Sequence, residues 1–239
     1  MSDFETLIFE TNHHIAHVTL NRPKALNAHN IQMRDDMVEV LSAIRDDDDI
    51  RVTVFKAAGD KAFCAGADLS EFLTAPPPTG AREVRFDLDL WGLFLSVPQP
   101  IVAALHGFVL GSGIEIALCC DIRIASEDAQ FGLPEMGLGM IPAAGGTQTV
   151  PRAIGSGKAL EMILTNRWIS ATEALDAGLV NSVVPKDRLW LEAESAAEKI
   201  AASEPAATRK AKQAILQGLD LSLPMGLALE KRLFLGLTG

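Results

Sequence analysis

Apolar residues along this chain recur with two periods. Short β-branched runs at Thr6 to Phe9 and Ile15 to Leu20, joined by the turn-like Asn12-His13-His14, predict a pair of strands. Met33, Met37, Val40, Leu41 and Ile44 then fall at helical spacing, with Asn27 or Asn30 as candidate N-cap and Asp46 to Asp49 as the stop. Arg51 to Ala57 alternates through Val52 and Val54 and predicts a third strand. A Gly-rich loop follows, then a helix from about Asp68, a break at Pro76-Pro77-Pro78, a helix over Ala81 to Leu95 and a buried strand over Ile101 to Leu105. The second half repeats the alternation. Gly111-Ser112-Gly113 opens a helix to about Cys120, Ile122 to Ala125 reads as a strand, and helices are expected at 145–153, 156–165 and 171–177. A strand at Val180 to Val184 precedes a tail that is helical from Lys186 onward. Strands alternating with helices predict α/β architecture with parallel pairing. No period of 20–50 residues recurs, and Pro76 to Gly80 is too short for a linker, so it reads as a loop inside one domain.

Composition narrows the function classes. The 239 residues include 21 basic and 31 acidic side chains, a net charge of −10, and 48% of them are hydrophobic. That is enough chain for one large core, too apolar for disorder, and too acidic for a nucleic-acid binder that neutralises phosphates. Three cysteines, two of them adjacent (Cys119 and Cys120), suit free thiols in a reducing compartment rather than a disulfide framework. No targeting pattern opens the sequence, and the apolar stretch Ile101 to Cys120 is broken by His106, three glycines and Glu115. A cytoplasmic protein without a membrane span is therefore expected.

Familiar motifs fail. Gly111-Ser112-Gly113 is a G-x-G, but Ile116 stands where a dinucleotide fingerprint needs its third glycine. Gly155-Ser156-Gly157-Lys158 runs into Ala159 and is no phosphate loop. His13, His14 and His17 cluster without a nearby Cys or carboxylate, which favours surface histidines over a metal site, and Asp46 to Asp49 lacks the glycine and final Glu of a calcium loop. Two Gly-rich turns remain, Ala62 to Leu69 and His106 to Gly113, each between a strand and a helix. Small residues there let N–H groups approach a ligand, or merely serve close packing. Two carboxylates lie in otherwise apolar settings: Glu115 within Ile114-Glu115-Ile116-Ala117-Leu118, and Glu135 after Phe131-Gly132-Leu133-Pro134. Each alone could be a cap. Together they suit general acid and base work, since shared burial raises at least one pKa toward neutrality. Cys64 beside the first turn reads as buried packing, Asp68 as a helix cap, and Trp91, Phe94 and Leu95 as core or an acyl pocket. Arg209, Lys210 and Lys212 read as a solvated face or a phosphate contact.

These residues resemble the crotonase (enoyl-CoA hydratase/isomerase) superfamily over nearly the whole length. Leu20-Asn21-Arg22-Pro23-Lys24-Ala25-Leu26-Asn27 resembles its N-terminal signature. Ala65-Gly66-Ala67-Asp68-Leu69 and Gly111-Ser112-Gly113-Ile114-Glu115 are similar to its two oxyanion loops. Phe131 to Glu135 with Gly145-Gly146-Thr147-Gln148, and Ile169-Ser170-Ala171 through Gly178-Leu179-Val180-Asn181, complete five motifs in order.

The resemblance implies an α/β spiral of β-β-α units over residues 1–190, and a C-terminal helical trimerisation segment over 191–239 that looks shortened against the family pattern. It implies trimers or paired trimers and an acyl-CoA substrate. The thioester oxygen would lie between the N–H groups of Ala67 and Ser112, where the family usually has glycine at the second position. Lys24, Ala25, Ala65, Asp68, Leu69 and Gly111 would meet the substrate and its CoA. Members that hydrate a double bond carry both glutamates, so Glu115 would activate water and Glu135 would exchange the α-carbon proton. No metal or redox cofactor is implied, because coenzyme A enters as part of the substrate. Double-bond isomerisation, hydration of a dienoyl or cyclic enoyl thioester, a lyase step, and a non-catalytic scaffold stay open as alternatives.

Overall fold

The computed structural model describes residues 4–74 and 89–237. The expected Pro76-Pro77-Pro78 break and most of the helix expected over Ala81 to Leu95 lie outside the described residues. A six-stranded sheet runs in the order β1 (Leu7–Asn12), β2 (Ile15–Leu20), β3 (Val52–Ala57), β5 (Ile101–Leu105), β7 (Ile122–Ser126), β10 (Ser182–Val184). The first two strands form an antiparallel hairpin and the other pairings are parallel. A second sheet has the order β4 (Ala62–Cys64), β6 (Phe108–Leu110), β8 (Gln130–Gly132), β9 (Ile169–Ser170). Its first three strands are parallel, and β9 runs antiparallel to β8.

The chain visits the two sheets in turn. β3 passes to β4, β5 to β6 and β7 to β8, so each turn of the spiral lays one strand in each sheet. Helix follows each pair: α1 (Ile31–Asp46) precedes the first turn, α2 (Leu69–Thr74) and α3 (Leu90–Ser96) close it, and α4 (Ser112–Leu118) closes the second. α5 (Gly146–Ile154) and α6 (Ser156–Leu164) follow the third. The structure therefore contains a repeat that the sequence pattern does not show. The turns begin at residues 52, 101 and 122, spacings too unequal for a fixed period. The Gly-rich turns expected as loops also begin as short strands, β4 and β6.

Burial explains why the long strands read as continuous apolar runs. On β3, Val52 and Val54 face one side while Phe55 faces the other; on β5, Val102 and Ala104 oppose Ile101, Ala103 and Leu105. One face packs on α1 through Met33, Met37, Val40, Leu41 and Ile44. The other is covered by α8 (Leu189–Ala201), whose Leu189, Ala193, Ala197 and Ala201 recur every four residues and bring the helix close to the sheet. Asn30, not Asn27, caps α1: its side chain accepts the Met33 N–H at 2.9 Å. Asn27 is buried in a left-handed conformation (φ 54°) and donates from Nδ2 to the carbonyls of Ala58 and Ala62, each at 2.9 Å. It ties the loop before α1 to the approach to β4.

α7 (Ala171–Ala177) carries a full capping box between Ser170 and Glu173. Beyond α8, α9 (Pro205–Gly218) docks on the end of the spiral where β3, β5 and β7 begin. Lys212 Nζ reaches the Gln99 carbonyl at 2.9 Å and Asp121 at 2.8 Å, with its side chain 9% exposed. Arg209 pairs with Asp48 at 2.7 Å and donates to the Ile50 carbonyl, and Lys210 donates to the Gly236 carbonyl. The expected solvated basic face is thus corrected: Arg209 and Lys212 pin the tail to the spiral. α9 and α10 (Leu223–Leu235) leave Ile215, Leu219, Leu223 and Phe234 exposed. All three cysteines are free and buried, and among the described residues no helix is long and apolar enough to cross a membrane.

Candidate active site

Three neighbouring parallel strands of the small sheet end side by side, and each delivers one part of the site. β4 leads into Ala65-Gly66-Ala67, β6 into Gly111-Ser112, and β8 into a 3-10 turn over Pro134–Leu138 that carries Glu135. Because the strands are parallel and adjacent, their carboxyl ends open on one cavity of about 330 Å³. Ala65, Ala67, Leu69, Gly111, Ser112, Glu115 and Glu135, all singled out in the sequence, line it. Lys24, Ala25 and Asp68 do not. Lys24 is exposed on the 3-10 turn Pro23–Ala25. Asp68 caps α2, accepting the Ser70 N–H at 3.1 Å and pairing with Arg22 at 2.9 Å. The hydrogen bonds from Ser70, aided by Arg22 against partial burial, hold its carboxyl below the usual range.

Main-chain pairing turns the first loop. His29 lies beside Ala67 in a parallel bridge, using the Gly66 carbonyl (2.8 Å) and the Asp68 N–H (2.9 Å). That pattern leaves the Ala67 N–H on the other side of the strand. Ala65 donates to the Leu26 carbonyl, so the N-terminal signature sets the height of the loop. In the second loop Gly111 donates to the Gly132 carbonyl, and its own carbonyl accepts from Ile114 and Glu115. Ser112 is the first residue of α4, where an N–H has no intrahelical acceptor.

The two loops approach each other at their glycines. A Cβ on Gly111 (φ 50°) would stand 3.4 Å from the Gly66 Cα and 2.7 Å from Glu135 Oε1; one on Gly66 (φ 107°) would stand 3.4 Å from the Leu110 carbonyl oxygen. Glycine is needed at both places for the positive φ, and at 111 a Cβ would also have to push the Glu135 carboxylate aside. Gly113 is as constrained, since a Cβ there would overlap the Cys64 carbonyl oxygen at 2.3 Å.

The two carboxylates differ in anchorage. Glu115, 3% exposed in the first turn of α4, accepts the N–H groups of Ala144 (2.9 Å) and Gly146 (3.0 Å) at Oε1. Gly146 opens α5, so a helix N-terminus faces this carboxylate. Glu135 lies over the second loop, its Oε1 2.7 Å from where a Cβ at 111 would stand. Sequence reasoning missed Ala144, His29 and Arg34, and took Gly146 only as part of the Gly145 to Gln148 motif. The N–H groups of Ala144 and Gly146 have no side-chain signal, and only their distance to Glu115 reveals them as its partners. Trp91 lines the cavity, whereas Phe94 is core and Leu95 is 54% exposed. Burial pushes the Cys64 thiol up to about 12, which suits packing rather than nucleophilic chemistry.

Comparison with known proteins identifies the family. The sequence model described as Enoyl-CoA hydratase/isomerase matches residues 10–238. A short-chain-enoyl-CoA hydratase of Clostridium acetobutylicum is 40% identical over 232 residues, 97% of this chain and 89% of the relative. An (E)-benzylidenesuccinyl-CoA hydratase of Thauera aromatica is 42% identical over 220 residues, 91% of this chain and 85% of the relative. The crystal structure of an enoyl-CoA hydratase from Bacillus anthracis superposes with a TM-score of 0.93 at 40% identity, covering 97% of this chain and 90% of that one. With a family match over nearly its whole length and a fold shared with solved members, the chain belongs to the enoyl-CoA hydratase/isomerase family, the crotonase superfamily.

Proposed function

We propose that this protein adds water across the double bond of a 2-enoyl-CoA thioester to form a 3-hydroxyacyl-CoA. The observation that carries the reading is the meeting of Glu115, Glu135 and the two N–H-bearing turns in one cavity. Glu115, with Oε1 held by two N–H groups, accepts a proton from water as the oxygen attacks the β-carbon. Electron density moves onto the thioester oxygen, which takes hydrogen bonds from the Ala67 and Ser112 N–H groups. Each such donor is worth about 2.7–4 kcal/mol in a transition state. Glu135, protonated at the outset, gives its proton to the α-carbon. The two carboxyls thereby exchange protonation states and reset before the next turnover. The acceptor of electrons is the polarised thioester, so the scheme calls on no metal or redox cofactor.

Both glutamates decide between hydration and the alternatives. Glu115→Gln and Glu135→Gln are each expected to lower hydration of a straight-chain 2-enoyl-CoA by roughly 10²–10⁴-fold, followed by loss of the conjugated thioester absorbance, with acyl-CoA binding retained. Near-native activity in either variant overturns the two-acid scheme. A product with a moved double bond and no hydroxyl identifies isomerisation instead. The same reading places Lys24, on its exposed turn, at the CoA phosphates, with Ala25 and Asp68 nearby. It also makes residues 191–239 a trimerisation segment in a cytoplasmic homotrimer or hexamer. The exposed Ile215, Leu219, Leu223 and Phe234 support self-association, and light scattering on the purified protein tests it.

A further inference from the structure

Three main-chain hydrogen bonds tie residues 26–29 to residues 65–68, the turn that carries the Ala67 N–H. Ala65 donates to the Leu26 carbonyl at 3.1 Å, His29 to the Gly66 carbonyl at 2.8 Å, and Asp68 to the His29 carbonyl at 2.9 Å. The bridge between His29 and Ala67 is isolated, outside the strands of both sheets, and pairings this short are marginal on their own. Arg22 spans the end of this clamp. Its Nη1 donates to the Ala28 carbonyl on one side, and its Nη2 to Asp68 Oδ2 on the other at 2.9 Å. Asp68, the residue after Ala67, is fixed in turn by Ser70, whose hydroxyl donates to Oδ1 at 2.7 Å. The arginine is itself set by Asn27, whose Oδ1 accepts the Arg22 N–H at 2.9 Å. The Arg22 and Asp68 side chains are 22% and 16% exposed, so salt screens the pair less than a fully exposed one. A planar guanidinium serves two acceptors at fixed angles, which a lysine ammonium on its flexible stem does not. Neither Arg22 nor Asp68 lines the cavity, so an effect of the pair on a bound thioester has to pass through the Ala67 turn.

We propose that Arg22 is a positioning residue: by tying Ala28 to Asp68 it fixes the direction of the Ala67 N–H toward the thioester oxygen. The proposal deepens the hydratase reading and rests on its pair of N–H donors, yet its main test does not need turnover. Butyryl-CoA labelled with carbon-13 at the thioester carbonyl has no double bond to react, and its carbonyl stretch falls in frequency as the oxygen gains hydrogen bonds. Infrared difference spectra at saturating ligand are expected to show that downshift in the wild-type protein. Arg22→Ala is expected to lose most of it, and Arg22→Lys, which keeps the charge without the planar fork, to retain part. Asp68→Asn, which can still accept from Ser70, removes the charge that faces Arg22 and is expected to lose part of the shift as well. Circular dichroism on each variant confirms that the spectrum is read from folded protein. In turnover, Arg22→Ala is expected to lower kcat by up to about a hundredfold with KM little changed, because the donor acts on the transition state. A full downshift in folded Arg22→Ala or Asp68→Asn overturns the proposal, as does a wild-type carbonyl that binding does not shift. A rise in KM with kcat unaltered in Arg22→Ala overturns it too, since that marks a role in substrate binding. A downshift that follows Arg22, together with no hydration of any 2-enoyl-CoA, keeps the proposal and defeats the hydratase reading instead.

Discussion

The two sheets of this protein are made by opposite means. The large one has strands of five or six residues through most of its width, β-branched and buried on both faces between α1 and α8. The small one is built from strands of two or three residues, and three of them end in a turn that lines the cavity. The large sheet holds the fold by apolar burial. The small sheet adds little area, and takes its positions from the strands that precede it in each turn. Stability and chemistry are thereby assigned to different strands of the same three turns, so each can be disturbed without the other.

The largest stability effect that tests this division lies in the large sheet. Phe55 is fully buried at the middle of β3, with its ring 5.2 Å from that of Phe94. Phe55→Ala is expected to cost roughly 3–5 kcal/mol, read by denaturant unfolding, while kcat per folded molecule changes little. Gly111→Ala reverses the pattern. The added methyl meets Glu135 and Gly66 in a backbone that side chains rarely adopt. The expected loss in kcat/KM is on the order of a hundredfold, about 2.7 kcal/mol, with a smaller fall in stability. If Gly111→Ala destabilises as much as Phe55→Ala and leaves activity intact, the division between the sheets is wrong.

The smallest effect sharpens the comparison where the sheets join. His106 links β5 to β6 and is 6% exposed. Burial, then the Lys186 charge, hold its imidazole below the ordinary range, against opposing pulls from Asp128, the Gly59 carbonyl and Asp60. A depressed histidine pKa means that the unfolded chain binds more protons once the pH nears roughly 6.5. The neutral imidazole is thus no liability above that value, and stability falls as the pH drops through it toward the folded pKa. His106→Asn is expected to flatten the dependence of Tm on pH between 7.5 and 5.5. An unchanged slope would show that His106 gains its proton as readily in the folded protein.

The same contrast explains what could be read from the chain. Strands β2, β3 and β5 and helices α1 and α5 to α7 are long enough to show a period, and they lie within a residue or two of where the pattern puts them. A three-residue strand such as Ala62–Cys64 has no period, and in the sequence it passes for part of a glycine-rich loop. The site residues were legible through another signal, the isolation of Glu115 and Glu135 among apolar neighbours. Their supports were not. Asn27 has the look of a helix cap, but its amide serves carbonyls 31 and 35 residues away. The N–H groups of Ala144 and Gly146 belong to no residue type at all.

The backbone at Gly66 and Gly111 has a consequence for how the site can vary. Both stand at positive φ, 107° and 50°, which side chains rarely adopt. The placement of the Ala67 and Ser112 N–H groups that follow them is therefore held by main-chain torsions and cannot be reset by a rotamer. Hydrogen bonds span only a few tenths of an ångström between strong and weak, so these two turns tolerate little drift, whereas side chains of the opposite wall can be exchanged without moving them.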